Sequence, residues 1–223
     1  QDYLGSLKSG GFLSMALYLL PPPRGELRLV AMAKEALERA GKRPGDHLLA
    51  FRSWSTFSLL VKTDPINPQE IEALKSFCQR LRFDLVYYPG MPPEEANVYN
   101  RFATPLYYVA MQRVLTEGKK FYSTYPFDLT PATDDRPFFH HYLKWGHLGE
   151  LYRLAGEKWQ MLVEGGYLVP IILFQALFLS FLFIILPLIF RKRREQERMI
   201  KRAPWLSGLV FFSALGLGFM FVE

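Results

Sequence analysis

The sequence predicts a mixed α/β water-soluble part over residues 1–145, followed by transmembrane α-helices. Three observations carry this. The chain is 50% hydrophobic overall, yet its apolar residues pile up after Gly165. Tyr167–Phe190 is a run of 24 residues without a charge. Before it, short apolar runs alternate with stretches of helical spacing, punctuated by glycine and proline.

The elements of the soluble part follow in order. Leu7–Gly11 is a turn with two glycines that leads into the apolar run Phe12–Leu20, which suits a buried strand ended by Pro21-Pro22-Pro23. Gly25–Ala40 is a helix with Leu27, Val30, Ala33, Leu37 and Ala40 on one face and Gly41 as its stop. His47–Phe51 and Phe57–Lys62 are strands, joined by a hairpin or bulged turn over Arg52–Thr56. Asn67-Pro68-Gln69-Glu70 starts a helix, with Asn at the N-cap, Pro at the first position and Glu three residues on. Its core face is Ile71, Leu74, Phe77, Cys78 and Leu81. Phe83–Tyr88 is a short strand closed by Pro89-Gly90. A further helix starts at Thr104-Pro105 and ends at Gly118, and a loop then leads to Thr130–His141.

Gly146–Glu164 has Leu148, Leu151, Leu154, Trp159 and Leu162 at mostly helical spacing, which predicts an amphipathic connecting helix over 146–165. The 24 uncharged residues of Tyr167–Phe190 would reach roughly 36 Å as a helix, enough to cross a ~30 Å hydrocarbon core. A basic loop over 191–203 follows, then the apolar run Trp205–Val222, read as the start of a second span over 204–223. Its Gly208, Ser213, Ala214, Gly216 and Gly218 suit close helix packing. Glu223 is either an intramembrane carboxylate or an interfacial one. Gln1 and Glu223 are both expected to be internal positions of a longer protein.

The net charge of +6 is local, because residues 191–202 hold seven basic and two acidic residues. The basic balance therefore belongs to a juxtamembrane loop and does not point to nucleic acid. The positive-inside rule places that loop in the cytoplasm and the preceding soluble part on the other side. Cys78 is the lone cysteine, so no intramolecular disulfide forms, and its place on a helix beside Phe77 marks a core residue. His47, His140, His141 and His147 match no zinc-site spacing. No P-loop, GxGxxG or nucleophile elbow occurs, and Leu7–Gly11 does not open a helix as a phosphate loop does.

Four segments carry a resemblance. They are Phe51–Lys62 (FRSWSTFSLLVK), Phe83–Gly90 (FDLVYYPG), Pro131–Phe139 (PATDDRPFF) and Gly216–Glu223 (GLGFMFVE). Together with the order Leu-Lys-x-Gly-Gly, strand, helix, strand, strand, they resemble the membrane-integrated branch of the spermine/spermidine synthase family. The resemblance implies the C-terminal half of a class I methyltransferase-like (Rossmann-like) domain over 1–63, a family-specific α/β extension over 64–145, and membrane spans after it. It implies a transferase whose co-substrate is S-adenosylmethionine or its decarboxylated form, with aminopropyl transfer to a polyamine as the model reaction. In this family the glycine-rich nucleotide loop and the catalytic aspartates lie upstream of Leu7, so residues 1–223 alone are expected to be inactive. The implied location is the bacterial inner membrane. The implied partners are the lipid bilayer and a small-molecule substrate, with a homo-oligomer left open.

Six residues are candidates for substrate binding. Arg52, Ser53 and Trp54 sit at the end of a predicted strand, where α/β folds place ligands. They replace the Pro-Thr-Tyr-Pro-type loop of soluble synthases, and a cationic Arg52 suits an anionic acceptor better than a diamine. The bland alternative is a solvated Arg52 and a Trp54 packed on the sheet. Asp134, Asp135 and Arg136 would hold a cation or an amine, or else form a local turn network. A rival reading of the whole is a catalytically inactive domain that binds a ligand or serves a transport path.

Overall fold

The computed structural model describes residues 2–142, 144–147, 149, 153 and 168–186. The chain divides into two compact units, residues 1–168 and 169–223. After a short helical turn α1 (Asp2–Gly5), the first unit alternates strand and helix: β1 (Phe12–Tyr18), α2 (Gly25–Arg39), β2 (Leu48–Arg52), β3 (Thr56–Lys62), α3 (Pro68–Leu81), β4 (Asp84–Tyr87), α4 (Leu106–Glu117) and α5 (Lys119–Thr124).

The four strands form one sheet in the order β1-β3-β2-β4. β3 runs antiparallel to both neighbours, with Phe12 opposite Lys62 and Tyr18 opposite Thr56 on one side, and Leu48 opposite Val61 and Arg52 opposite Phe57 on the other. β1 and β2 are therefore parallel to each other, joined by the α2 crossover, with β3 slotted between them. β4 pairs antiparallel with β2 through a bulge at Ala50/Phe51. β4, from the predicted extension 64–145, joins the same sheet as the strands of 1–63.

Alternation assigns the two faces. Leu48, Ala50, Phe57, Leu59 and Val61 pack into a large core with Leu27, Val30 and Leu37 of α2 and Met111 and Val114 of α4. Leu49, Phe51 and Leu60 point the other way, into a smaller core with Leu74 and Cys78 of α3. There the rings of Phe51, Phe77 and Phe83 meet at centroid distances of 5.6 to 5.9 Å. Both faces of β2 are thus covered, which is why it reads as an unbroken apolar run. β1 differs from the expected buried strand: Leu13, Met15 and Leu17 pack on the large core while Phe12, Ser14, Ala16 and Tyr18 are exposed. It lies at the sheet edge.

The ends of α2 and α3 are set by local chemistry. Gly41 adopts φ +72°, and the amides of Gly41 and Lys42 donate to the carbonyls of Glu38 and Leu37 at 2.9 Å each. These are the paired bonds of a Schellman stop. At the start of α3 the Glu70 amide donates to Asn67 Oδ1 (2.9 Å) while the Asn67 amide donates to Glu70 Oε2 (3.0 Å), the reciprocal capping box the sequence predicts. Glu70 Oε1 also accepts from Lys62 Nζ at 2.6 Å and ties α3 to the end of β3. Cys78 is buried, and burial pushes its thiol up to about 12. Leu81, predicted on the core face, is exposed. α5 was expected as loop; it follows Gly118, which stops α4 at φ +53°.

In the second unit an apolar helix α6 starts at the boundary, Leu168–Ser180, and continues through a wider turn over Phe181–Ile185. Among the described residues no helix is long and apolar enough to cross a membrane. The rest of the predicted span to Phe190, most of the connecting helix 146–165, the basic loop 191–203, the second span 204–223 and Glu223 lie outside the described residues.

Asn67→Ala should cost about 1 kcal/mol of stability, whereas Leu81→Ala on the same helix should change it by less than about 0.5 kcal/mol. Denaturant titration of the full chain checks both; equal losses would contradict the burial assignment.

Candidate functional site

Since β1 and β2 are parallel, Tyr18 and Arg52 end at the same edge of the sheet, and the β2–β3 hairpin tip lies beside them. Two clusters of buried polar groups gather at this edge.

The first is built on Arg52, which is 2% exposed. Its Nη2 lies 3.3 Å from Asp84 Oδ2 and donates to Asn97 Oδ1 (3.0 Å) and the Asn100 carbonyl (2.5 Å). The guanidinium stands 4.6 Å from the Phe102 ring centre and 5.6 Å from that of Tyr107. Asp84 faces Arg52 across the β2–β4 pair and accepts the amides of Tyr99 (2.7 Å) and Asn100 (2.8 Å). Asn97, at φ +59°, closes the loop by accepting the Phe102 amide and donating to its carbonyl, both at 2.8 Å. Burial lowers the Arg52 pKa from its ordinary value, and the charge of Asp84 opposes that.

The second cluster surrounds Glu26 in the first turn of α2, just after the three prolines. Its carboxylate is buried and accepts the amides of Leu20 (3.1 Å) and Arg24 (3.0 Å). Burial raises the Glu26 pKa, with those amides and the Arg24 charge pulling the other way. Arg28 fastens residues 128–142 against α2. Its Nη1 donates to the carbonyls of Phe138 (3.2 Å) and Phe139 (2.6 Å), its Nη2 to that of Asp128 (2.6 Å), and it ion-pairs with Asp128 Oδ2 at 3.3 Å. Tyr142 stacks under the Arg28 guanidinium at 4.8 Å, and its hydroxyl lies 3.3 Å from His140 Nδ1. A side chain at Gly25 would meet that hydroxyl at 2.7 Å, so any larger residue there would push the Tyr142 ring aside. Burial pushes the Tyr142 hydroxyl up to about 12.

Between these parts lies a pocket of about 120 Å³ lined by Tyr18, Arg24, Glu26, His140 and Tyr142. It offers a buried carboxylate, a guanidinium, an imidazole and aromatic walls, a set able to hold a small polar group by its hydrogen bonds. A wider cleft of about 760 Å³ lies between α2, α5 and residues 130–133. Its Lys34 and Arg39 already pair with Glu38 and Glu35, and Lys144 donates to the carbonyls of Ser123 and Tyr125. The strand-end pocket is the better candidate because it contains a buried ionisable group.

The six sequence candidates fare differently. Arg52, read as a strand-end cation, is buried, and its charge is met internally by Asp84. Ser53 is a turn residue, its Oγ accepting the amides of Ser55 (3.3 Å) and Thr56 (3.1 Å). Trp54 is 75% exposed at the hairpin tip and not packed on the sheet. The tip is held beside β1 by the Leu19 amide donating to the Ser55 carbonyl at 2.7 Å. Asp134, Asp135 and Arg136 are exposed in a tight turn closed by paired backbone bonds between Thr133 and Arg136, 2.9 and 3.3 Å. The site is thus not brought together from both candidate groups. Glu26, Arg28 and Asp84 are not among the sequence candidates; charges at 24, 26 and 28 flanking the apolar positions of α2 were the available signal. Among the described residues no group of three or more His, Cys, Asp or Glu could hold a metal ion.

No protein-family model, curated protein or solved structure matches the chain. The reading of this edge rests on its own geometry.

Since the raised Glu26 pKa means the folded state holds that proton more tightly than the unfolded chain, its contribution is greatest below the unfolded value. It should be lost as pH rises through the window up to the folded pKa. Glu26→Gln should abolish that component, so the stability difference between wild type and variant should move against wild type as pH rises above the ordinary carboxylate range. Parallel stability–pH curves would contradict the assignment.

Proposed function

We propose that the chain is the C-terminal half of a class I methyltransferase-like domain in a membrane-integrated, spermidine-synthase-like transferase. The supporting observation is the sheet: an antiparallel β3 inserted between parallel β1 and β2 is the arrangement that such a domain carries at its C-terminal edge. The glycine turn before β1 agrees with it. Asp64 Oδ2 accepts from Ser9 Oγ (3.0 Å) and the Gly10 amide (2.6 Å), so this turn is anchored to the sheet and is no phosphate cradle.

In the full-length protein the donor nucleotide would sit on upstream elements and the acceptor at the edge described above. The acceptor nitrogen attacks the carbon bonded to the donor sulfonium. The carbon–sulfur bond breaks with its electron pair passing to sulfur, and the nitrogen's proton passes to a carboxylate. This chain contributes the pocket wall: Glu26 accepts an N–H of the acceptor and Tyr18 offers an aromatic face to a cationic amine, while Trp54, exposed at the neighbouring hairpin tip, offers a second face to the part of the acceptor that extends beyond the pocket. With Arg52 engaged by Asp84, that residue no longer argues for an anionic acceptor; the buried Glu26 carboxylate suits an acceptor nitrogen, beside the Arg24 guanidinium that shares the pocket. The exposed apolar side chains of α6, among them Phe174, Leu177 and Phe178, support a bilayer as the surroundings of that segment.

Calorimetry of the full-length protein should detect binding of S-adenosylmethionine or its decarboxylated form. Trp54→Ala should then raise the acceptor KM by roughly 5- to 30-fold, as expected for about 1–2 kcal/mol of lost cation–π contact, without lowering the unfolding temperature. Absence of donor binding would overturn the transferase reading. Binding without turnover would leave a ligand-binding protein.

A further inference from the structure

Two buried polar atoms near the sheet edge have no protein hydrogen-bond partner among the described residues: Arg52 Nη1 and Tyr107 Oη. Both side chains are almost wholly inaccessible, at 2% each. The Arg52 guanidinium carbon lies 5.6 Å from the Tyr107 ring centre. Both residues line one small cavity of about 10 Å³, walled by Val86, Asn97, Phe102 and Leu106.

An unpaired N–H on a buried guanidinium is costly, because the group has lost its water and gained nothing in exchange. The nearby protein acceptors are committed. Asn97 Oδ1 takes Arg52 Nη2 and the Phe102 amide, and Asp84 takes two amides besides facing Arg52. Burial also drives the Tyr107 pKa upward, with the charge of Glu26 adding to that, so this phenol keeps its proton and remains a donor. A site with two unmet donors needs an acceptor with two lone pairs, and a water oxygen supplies both. The cavity is at the lower end of the roughly 10–15 Å³ that a site needs to admit one water, and two to four polar partners suffice to hold it.

We propose that this cavity is the binding site of a single structural water that joins Arg52 Nη1 to Tyr107 Oη. The water accepts from Nη1 and shares one further bond with the Tyr107 hydroxyl. It thereby links the end of β2 to the first turn of α4, and completes the shell of the Arg52–Asp84 pair. The site stands on the fold alone and is independent of any transfer chemistry.

A density map of the full-length protein at better than about 2 Å resolution tests it directly. The expected result is one peak within roughly 3.2 Å of both Arg52 Nη1 and Tyr107 Oη. Tyr107→Phe keeps the ring and deletes the hydroxyl, and should lower the unfolding midpoint by at least about 2 °C, whereas Val109→Ala on the exposed side of the same helix should not. A well-ordered site with no peak overturns the proposal, as does a peak too far from either atom. So does a Tyr107→Phe variant that melts with wild type.

Discussion

Arg52 carries a positive charge to the end of the central strand β2, where water does not reach it, and Asp84 on the adjoining strand meets it. Taking two such charges out of water costs several kcal/mol per ion, so the pair alone is weak grounds for stability. What distinguishes it is the shell around it. The Asp84 carboxylate also takes the amides of Tyr99 and Asn100, and the Arg52 guanidinium also reaches Asn97 and the Asn100 carbonyl. These two side chains take three backbone groups of the loop 97–102, the amides of Tyr99 and Asn100 and the Asn100 carbonyl. That loop delivers the chain to Pro105 and α4, whose Tyr107, Met111 and Val114 fill the large core against α2. Lose either charge and the partner is left buried and uncompensated, which typically costs 3–5 kcal/mol.

A second consequence follows at the same edge. Because Arg52 is fixed inward, the hairpin beyond it projects Trp54 outward, and the three-residue turn is closed by Ser53 Oγ. Arg28 on α2 does comparable work from the other side, gathering the carbonyls of residues 128, 138 and 139 so that His140 and Tyr142 come to lie over Glu26. Two arginines, each spent on backbone carbonyls and a carboxylate, shape the pocket. Neither presents its charge to it.

Much of the scaffold was legible in the sequence because its signals are local. The Asn67–Glu70 capping box needs only four consecutive residues, and the Gly41 stop and the β2–β3 hairpin are as short-ranged. The missed features are non-local. Arg52 reads as a free strand-end cation because nothing near it in the chain reveals Asp84, which only the register of β2 with β4 brings opposite. β1 reads as buried because its run is apolar, but strand order puts it at the sheet edge, where α3 covers β2 and leaves one face of β1 open. Helix α5 escaped because Gly118 looked like the end of helical structure, whereas its left-handed backbone is a corner between two helices.

The central claim is that Arg52 and Asp84 act as one unit. A double-mutant cycle with Arg52→Met and Asp84→Asn, read as unfolding free energies of the full chain, tests it most directly. The account predicts that each single change costs about 3–5 kcal/mol. The double variant should cost far less than their sum, giving a coupling of about 2 kcal/mol or more. Losses that add to within about 0.5 kcal/mol would show that the two charges are independent, and would contradict the account.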